Sequence, residues 1–168
     1  MVSMLHSDAS RGRSFAKDPA VVHYRGRYLL YYTLPGYGDG RARDGTAIGI
    51  AESQDLEQWR RLGEIGPQAD YERNGLCAPG AVVLDGRSHL FYQMYGNGPR
   101  DAICHAMSDD GLSLTRDVTN PILRPTGAWN CGRAIDAADV VDCGRVLLTR
   151  RRAIPSCACR CWAYRRPR

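Results

Sequence analysis

The 168-residue sequence lacks any apolar run long enough to cross a membrane, although 43% of its residues are hydrophobic. Its N-terminus, from Met1 to Arg13, lacks the apolar stretch of a secretory signal peptide. Sustained helical periodicity is missing as well. These absences argue against a helical membrane protein and a helical bundle. They predict a single cytoplasmic domain, unless a leader has been lost from the N-terminus.

Acidic residues are absent from residues 143–168, which contain eight arginines. Because the whole chain carries a net charge of +5, residues 1–142 carry −3 (5 − 8). A mildly acidic body gives no reason to expect binding to phosphate backbones. We therefore predict neither nucleic acid nor membrane as a partner of the body.

Ligand motifs of known spacing are also scarce. Only three of the seven cysteines lie before residue 143, which suggests no disulfide framework in a chain of this length. The Gly-rich loop at residues 36–45 lacks the Lys-Ser/Thr ending of a phosphate-binding loop. His105 has no companion at ligand spacing and is interpreted as an ordinary strand residue.

From about Thr149 the composition changes abruptly to arginine and cysteine. Three alternating cysteines fit no zinc spacing, and the arginine runs lack a folded element to present them to phosphate. Cysteine and tryptophan codons begin with TG, so a shifted reading frame turns these cysteines and Trp162 into Leu, Val or Met codons. We therefore predict that residues 149–168 are an aberrant, frameshifted and disordered tail.

What the sequence does contain is a repeat of roughly 60 residues. Three Val-Val segments, at residues 21–22, 82–83 and 140–141, are each followed within a few residues by a Gly-Arg pair. Predicted strands lie at residues 20–24, 28–34, 47–52, 60–65, 81–84, 88–95 and 102–108. Repeated short strands are typical of β-propeller blades. The sequence predicts an all-β fold of about two and a third blades at residues 15–148, after a loose lead-in at residues 1–14.

Two further stretches carry a family resemblance. Lys17-Asp-Pro-Ala-Val-Val-x-Tyr-x-Gly-Arg-Tyr28 and Ala51-Glu-Ser-x-Asp-Leu-Glu-x-Trp59 resemble the five-bladed β-propeller glycoside hydrolases. Families 43 and 117 are closest, and families 32 and 130 are more distant. The resemblance implies an incomplete five-bladed propeller. It also implies the N-terminal fragment of a hydrolase that acts on O-glycosidic bonds of plant or algal oligosaccharides, such as arabinan, xylan or agar-type sugars.

Glycoside hydrolysis needs one carboxyl group to activate water and another to protonate the leaving oxygen. The resemblance implies that Asp18 is the general base and that Asp136 tunes the pKa of the acid and orients it. Asp139 competes with Asp136 because the third repeat carries an apparent extra residue. Trp129 either stacks on a sugar ring, as a substrate-binding residue, or packs on a neighbouring blade. Without the repeat and the resemblance, an aspartate before proline, such as Asp18, is interpreted as a turn residue.

The family's general acid lies on a fourth blade that this sequence does not include, so we predict an inactive fragment. We predict that no cofactor is required, although the presence of a metal ion on the propeller axis stays an open question. An unpaired sheet edge predicts self-association. Two alternatives remain: a non-catalytic carbohydrate-binding or assembly module, and a nucleic-acid binder acting through the basic tail.

Overall fold

The computed structural model describes residues 6–41 and 44–125 with their side chains, and three short strands beyond them as backbone. The first four strands are β1 (Lys17–Tyr24), β2 (Arg27–Leu34), β3 (Ala47–Ser53) and β4 (Arg60–Ile65). The next four are β5 (Leu76–Leu84), β6 (Arg87–Met94), β7 (Ala102–Ser108) and β8 (Thr115–Arg116). The last three are β9 (Val140–Asp142), β10 (Val146–Thr149) and β11 (Trp162–Arg165).

Strands β1–β4 form one antiparallel sheet and strands β5–β8 form another, each in the order of the sequence. We call them the first blade and the second blade. No α-helix occurs among the described residues, which confirms the predicted all-β class and the partial propeller. Within that part of the chain, no helix is long and apolar enough to cross a membrane.

The two blades open with the same local structure, 60 residues apart (78 − 18). Asp18 and Ala78 occupy the left-handed region, with φ of +52° and +47°, inside β-bulges of β1 and β5. The hairpins that follow turn through Gly26 and Gly86, with φ of +75° and +74°, a conformation that glycine adopts without steric cost. Bulge and turn together fix the register of each first hairpin.

This register corrects one detail of the sequence repeat. When the Val-Val segments of the sequence are aligned with each other, Val22 corresponds to Val83. In the structure Val22 is equivalent to Val82. Val22 lies opposite Leu29, and Val82 lies opposite His89. A register shift of one residue would send every side chain to the other face of the sheet, so the packed faces decide the match.

The main core lies between the facing sides of the two blades. It contains Tyr24, Leu29, Tyr31, Ile48 and Ile50 of the first blade and Leu76, Leu90, Tyr92 and Met94 of the second. The Tyr31 hydroxyl donates to the Gly111 carbonyl at 2.8 Å. The Tyr24 hydroxyl lies 2.9 Å and 2.8 Å from the carbonyls of Gly86 and Asp109. These directional bonds add to the apolar burial and fix how one blade sits on the other.

The N-terminal segment is attached to the opposite face of the first blade. Asp8 is 4% exposed and accepts hydrogen bonds from the Tyr32 hydroxyl at 2.6 Å and from Arg61 Nε at 2.8 Å. Arg11 donates to Glu64 at 2.7 Å. Tertiary contacts thus hold the described part of the segment for which the sequence predicts a loose lead-in.

The pH dependence of stability should report on Asp8. Burial alone raises the pKa of Asp8, but hydrogen bonds from Tyr32, Ser10 and Arg61 outweigh it and lower the pKa to about 2. The stabilisation is therefore complete above about pH 4 and is lost as the pH falls towards 2. We expect Asp8→Asn to lower the free energy of unfolding by about 2 kcal/mol at pH 7 and to weaken the acid dependence, measured by urea unfolding.

Glu57→Gln, at an exposed carboxylate, serves as the control and should leave both quantities nearly unchanged. Equal losses in the two variants at pH 7 would show that Asp8 contributes no more than an ordinary surface charge.

Beyond the second blade, β9, β10 and β11 form a three-stranded antiparallel sheet with β10 in the middle. Where β9 pairs with β10, Asp142 lies opposite Leu147, and four residues separate them in the sequence. In the first blade Tyr24 lies opposite Arg27, with two residues between them, so the two hairpins differ in register. Strand β11 falls inside the predicted tail. Three boundaries stay predictions: those of the lead-in, the propeller and the tail. The frameshift also stays a hypothesis.

Candidate functional site

Asp18 lies where β1 begins and β2 ends, next to the Lys17–Thr33 pair of the hairpin. Strand β1 also packs against β5, the first strand of the second blade. The bulge at Asp18 therefore lies at the end of the line along which the two first strands meet. This is the end at which the sequence predicts a reacting carboxylate.

Two neighbours contact the carboxylate of Asp18. The Thr33 hydroxyl donates to Oδ2 over an Oγ1–Oδ2 distance of 3.1 Å, and the Lys17 ammonium lies 3.7 Å from Oδ1. The side chain of Asp18 is 26% exposed and that of Lys17 is 69% exposed. Since an exposed lysine contributes little to holding a partner, Thr33 is the stronger constraint on Asp18. The carboxylate is held and still open to solvent.

Thr33 also connects the two blades. Its Oγ1 accepts a hydrogen bond from the backbone N–H of Ala78, in β5, at 2.9 Å. Thr33 is buried, with 5% of its surface exposed. A continuous path of two hydrogen bonds therefore runs from the backbone of the second blade through Thr33 to Asp18.

The equivalent end of the second blade is chemically different. Ala78 stands in place of Asp18, and Gln93 stands in place of Thr33. Gln93 donates to Asp101 at 3.0 Å, and Asp101 also accepts the Asn97 N–H at 2.7 Å while being fully buried. The acid at this end of the second blade orders the β6–β7 connection and is not exposed to a ligand.

The loop between β2 and β3 is held by a single carboxylate. Asp44 accepts four successive backbone N–H groups, those of residues 37–40, at 2.5–3.3 Å. The ring of Tyr37 lies between two guanidinium groups, with Arg11 at 3.7 Å and Arg41 at 3.6 Å from its centroid. These contacts order the described part of the Gly-rich loop.

Sequence reasoning missed a buried charge between the blades. Glu72 is fully buried and accepts hydrogen bonds from the Tyr92 hydroxyl at 2.6 Å, the Gln68 N–H at 2.8 Å and Arg116 Nε at 3.2 Å. Burial alone raises the pKa of Glu72, but these donors outweigh it and keep the pKa below its usual value. The network joins the linker after β4 to the outer strand of the second blade.

A second missed cluster lies on the other face of the second blade. His105 Nε2 lies 3.0 Å from His89 Nδ1, and His105 Nδ1 lies 3.2 Å from Asp117. Burial lowers the pKa of His105, and the carboxylate of Asp117 partly opposes this shift. The two histidines are sixteen positions apart in the sequence (105 − 89), which hides the pair, because only strand pairing brings them together.

Two predicted site residues, Asp136 and Trp129, and the competing Asp139 lie outside the described residues. Their roles stay predictions, as does the absence of a required cofactor. Within residues 6–41 and 44–125, no group of three or more His, Cys, Asp or Glu side chains is arranged to hold a metal ion.

The model of the family described as "Glycosyl hydrolases family 32 N-terminal domain" matches residues 12–133. Among solved structures, a GH32 β-fructofuranosidase of Bombyx mori has a TM-score of 0.61 and 19% identity, covering 81% of this chain and 30% of that chain. A family 117 glycoside hydrolase of Zobellia galactanivorans has a TM-score of 0.60 and 22% identity, covering 80% of this chain and 48% of that chain.

The α-L-arabinanase of Cellvibrio cellulosa is similar to the same extent, with a TM-score of 0.60 and 17% identity over 80% of this chain and 44% of that chain. This chain therefore spans less than half the length of each of these structures. At such identities the structures show the fold alone. The resemblance to propeller glycosidases is confirmed, although the matching family model is family 32, which the sequence pattern ranks behind families 43 and 117.

Proposed function

Because this chain belongs to the glycosyl hydrolase family 32 N-terminal domain family, we propose that the protein hydrolyses O-glycosidic bonds, with Asp18 as a reacting carboxylate. The observation that carries this proposal is a partly exposed carboxylate, held by Thr33 at the end where two blades meet. The bulge itself does not require an acid, because alanine occupies the same left-handed position in the second blade.

The chemical role of Asp18 depends on its distance from the general acid. A separation of about 6.5–9.5 Å leaves room for a water that Asp18 would activate as general base, whereas about 5–5.5 Å makes it a nucleophile. We keep the general base as the proposed role. The acid is expected from a blade beyond the two described here, and inactivity of the 168-residue chain stays a prediction.

Spacing supports Asp136 over Asp139 as the second acid. Asp18 precedes the turn glycine Gly26 by eight residues, and Ala78 precedes Gly86 by the same number. In the sequence alone, counting eight residues back from Gly144, in the third Gly-Arg pair, gives Asp136, although the Asp142–Leu147 pair sets the register of the third hairpin one residue apart from this count. Since the first strands of propeller blades converge on the axis, this position fits a residue that acts beside Asp18.

The substrate class follows from the family. A solved structure similar to this chain is named a GH32 β-fructofuranosidase, and another is named a fructan 1-exohydrolase. We therefore propose an oligosaccharide with a terminal fructofuranosyl unit, in place of the xylan and agar-type sugars that the sequence pattern favours. Arabinan is the comparison substrate because an arabinanase shares the fold.

The test measures hydrolysis of a fructan and, separately, of an arabinan, by a full-length protein that includes the remaining blades of the propeller. The anomer of the first product is followed by proton NMR. Fructose release supports the proposal, and the anomer assigns Asp18 as base (inversion) or nucleophile (retention). Arabinose release would move the substrate to arabinan. Release of neither sugar would contradict the proposed activity.

A second candidate function, an assembly module, is favoured by an exposed apolar groove on the first blade. The groove has a volume of about 400 Å³ and is lined by Ala16, Pro19, Val21, Leu30, Leu56 and Trp59, among others. Val21 is 46% exposed and Leu56 is 40% exposed. The groove lies on the sheet face opposite the second blade, where another blade would pack. Self-association through this face, rather than through a sheet edge, is the form we propose.

Sedimentation velocity over a range of concentrations tests this assembly. We expect Val21→Glu to weaken self-association by roughly ten-fold or more, because a charge would be buried in the contact. Val118→Glu is the matched control, since Val118 is 99% exposed and does not line the groove. Identical sedimentation of Val21→Glu and the parent chain at every concentration would exclude this face as the contact.

A further inference from the structure

We infer that Thr33 is a positioning residue for the hydrolytic reaction, fixing which oxygen of Asp18 is presented to the substrate. The inference rests on the proposed function, since it assumes that Asp18 reacts. It assigns to Thr33 a role that neither the sequence motif nor the strand pattern indicates. Thr33 itself does not touch the reacting atoms and acts through Asp18.

The direction of the Thr33 hydroxyl is determined by its two partners. The backbone N–H of Ala78 can only donate, so Thr33 Oγ1 accepts this bond at 2.9 Å. The hydroxyl hydrogen is then available for Asp18 Oδ2, 3.1 Å away, which can only accept when ionised. A hydroxyl with one donor partner and one acceptor partner has little freedom to rotate. Oδ2 is thereby engaged, and Oδ1, in a side chain that is 26% exposed, lies 3.7 Å from the ammonium of Lys17.

The internal repeat shows that the blade fold does not require this threonine. At the equivalent place the second blade has Gln93, opposite Cys77, and the bulge residue there is Ala78. Gln93 turns to Asp101 instead. The short hydroxyl side chain therefore occurs in the blade whose bulge carries a carboxylate, and a different polar residue occurs where the bulge carries a methyl group.

The path also makes the orientation of Asp18 depend on the packing between blades. Ala78 has a φ of +47°, which an alanine rarely adopts, and its N–H supplies the bond that crosses to the first blade. Movement of β5 relative to β2 would release Thr33 and then Asp18. Catalytic competence would thus require that the second blade be seated on the first.

The test is steady-state kinetics of the full-length protein on a fructan, with Thr33→Val and Thr33→Ser. Valine keeps the shape and removes the hydroxyl, so we expect kcat to fall roughly 10–100-fold with KM little changed, because a reacting group loses its alignment. Serine keeps the hydroxyl and should restore most of kcat. Tyr24→Phe is the matched control, since it removes cross-blade hydrogen bonds at the opposite end of the same interface.

The outcomes separate the inference from the proposed function. If Asp18→Asn abolishes hydrolysis while Thr33→Val matches the parent protein, the inference is wrong and the function stands. If Thr33→Val and Tyr24→Phe lose activity equally, or serine fails to rescue, Thr33 is merely structural and the inference is wrong. If no form of the protein hydrolyses a glycoside, the proposed function fails. A double-mutant cycle of unfolding on the 168-residue chain then decides whether Asp18 and Thr33 are coupled at all.

Discussion

Asp18→Asn is expected to lower kcat/KM for glycoside hydrolysis by roughly 10²–10⁴-fold, the range for loss of a general acid or base. The amide cannot take up the proton of an attacking water, although it can still accept the hydrogen bond from Thr33. Asparagine also tolerates the left-handed backbone at this bulge, where φ is +52°. The variant should therefore fold like the parent protein and lose the chemistry, as measured by initial rates of fructose release.

Asp85→Asn provides a matched control for this substitution. Asp85 also has a positive φ, +49°, but it lies in the hairpin turn at the other end of β5. The same change of side chain in the same backbone conformation should leave kcat/KM within about two-fold of the parent value. An Asp18→Asn protein that keeps more than a tenth of the parent activity would show that another carboxylate does the work.

Glu72→Gln is expected to lower the free energy of unfolding by about 3–5 kcal/mol, because it leaves the buried charge of Arg116 without its counter-ion. The side chains of Glu72 and Arg116 are 0% and 13% exposed. Such a loss is a large share of the 5–15 kcal/mol that typically stabilises a domain, so the variant should unfold at a much lower urea concentration.

The sign of the pH effect follows from the lowered pKa of Glu72. Its contribution to stability is complete above the usual glutamate pKa of 4.5 and is lost as the pH falls below that value. The parent protein should therefore lose stability on acidification more steeply than Glu72→Gln. Glu57→Gln, at an exposed position, is the control. A loss below about 1 kcal/mol in Glu72→Gln would contradict a net stabilising role for the ion pair.

The face of the second blade that carries His89 and His105 differs in kind from the equivalent face of the first blade. By the repeat, His89 and His105 stand where the first blade has the buried side chains of Leu29 and Ile50. Imidazole pairs need hydrogen-bond partners when buried, and here they find one another and Asp117. The two blades therefore do not carry the same kind of side chain on equivalent faces.

Local features of the fold were predictable from sequence because their causes lie within a few residues. The serine-led turns after β3 and β7 are an example, since Ser53 and Ser108 each accept a backbone N–H three residues ahead, at 2.8 Å. The Gly26 and Gly86 turns and the alternating aromatic strands belong to the same class. Strands β4 and β7 have the predicted bounds.

The sequence by itself determined the repeat, the strand content, the position of Asp18 and the resemblance to propeller glycosidases. Only the tertiary structure decided which polar groups meet, because these contacts join residues far apart in the chain. Thr33 receives the Ala78 N–H from 45 residues away, and Glu72 meets Arg116 from 44 residues away. Such pairs depend on how two sheets sit on each other, a relation that no local pattern of residues specifies.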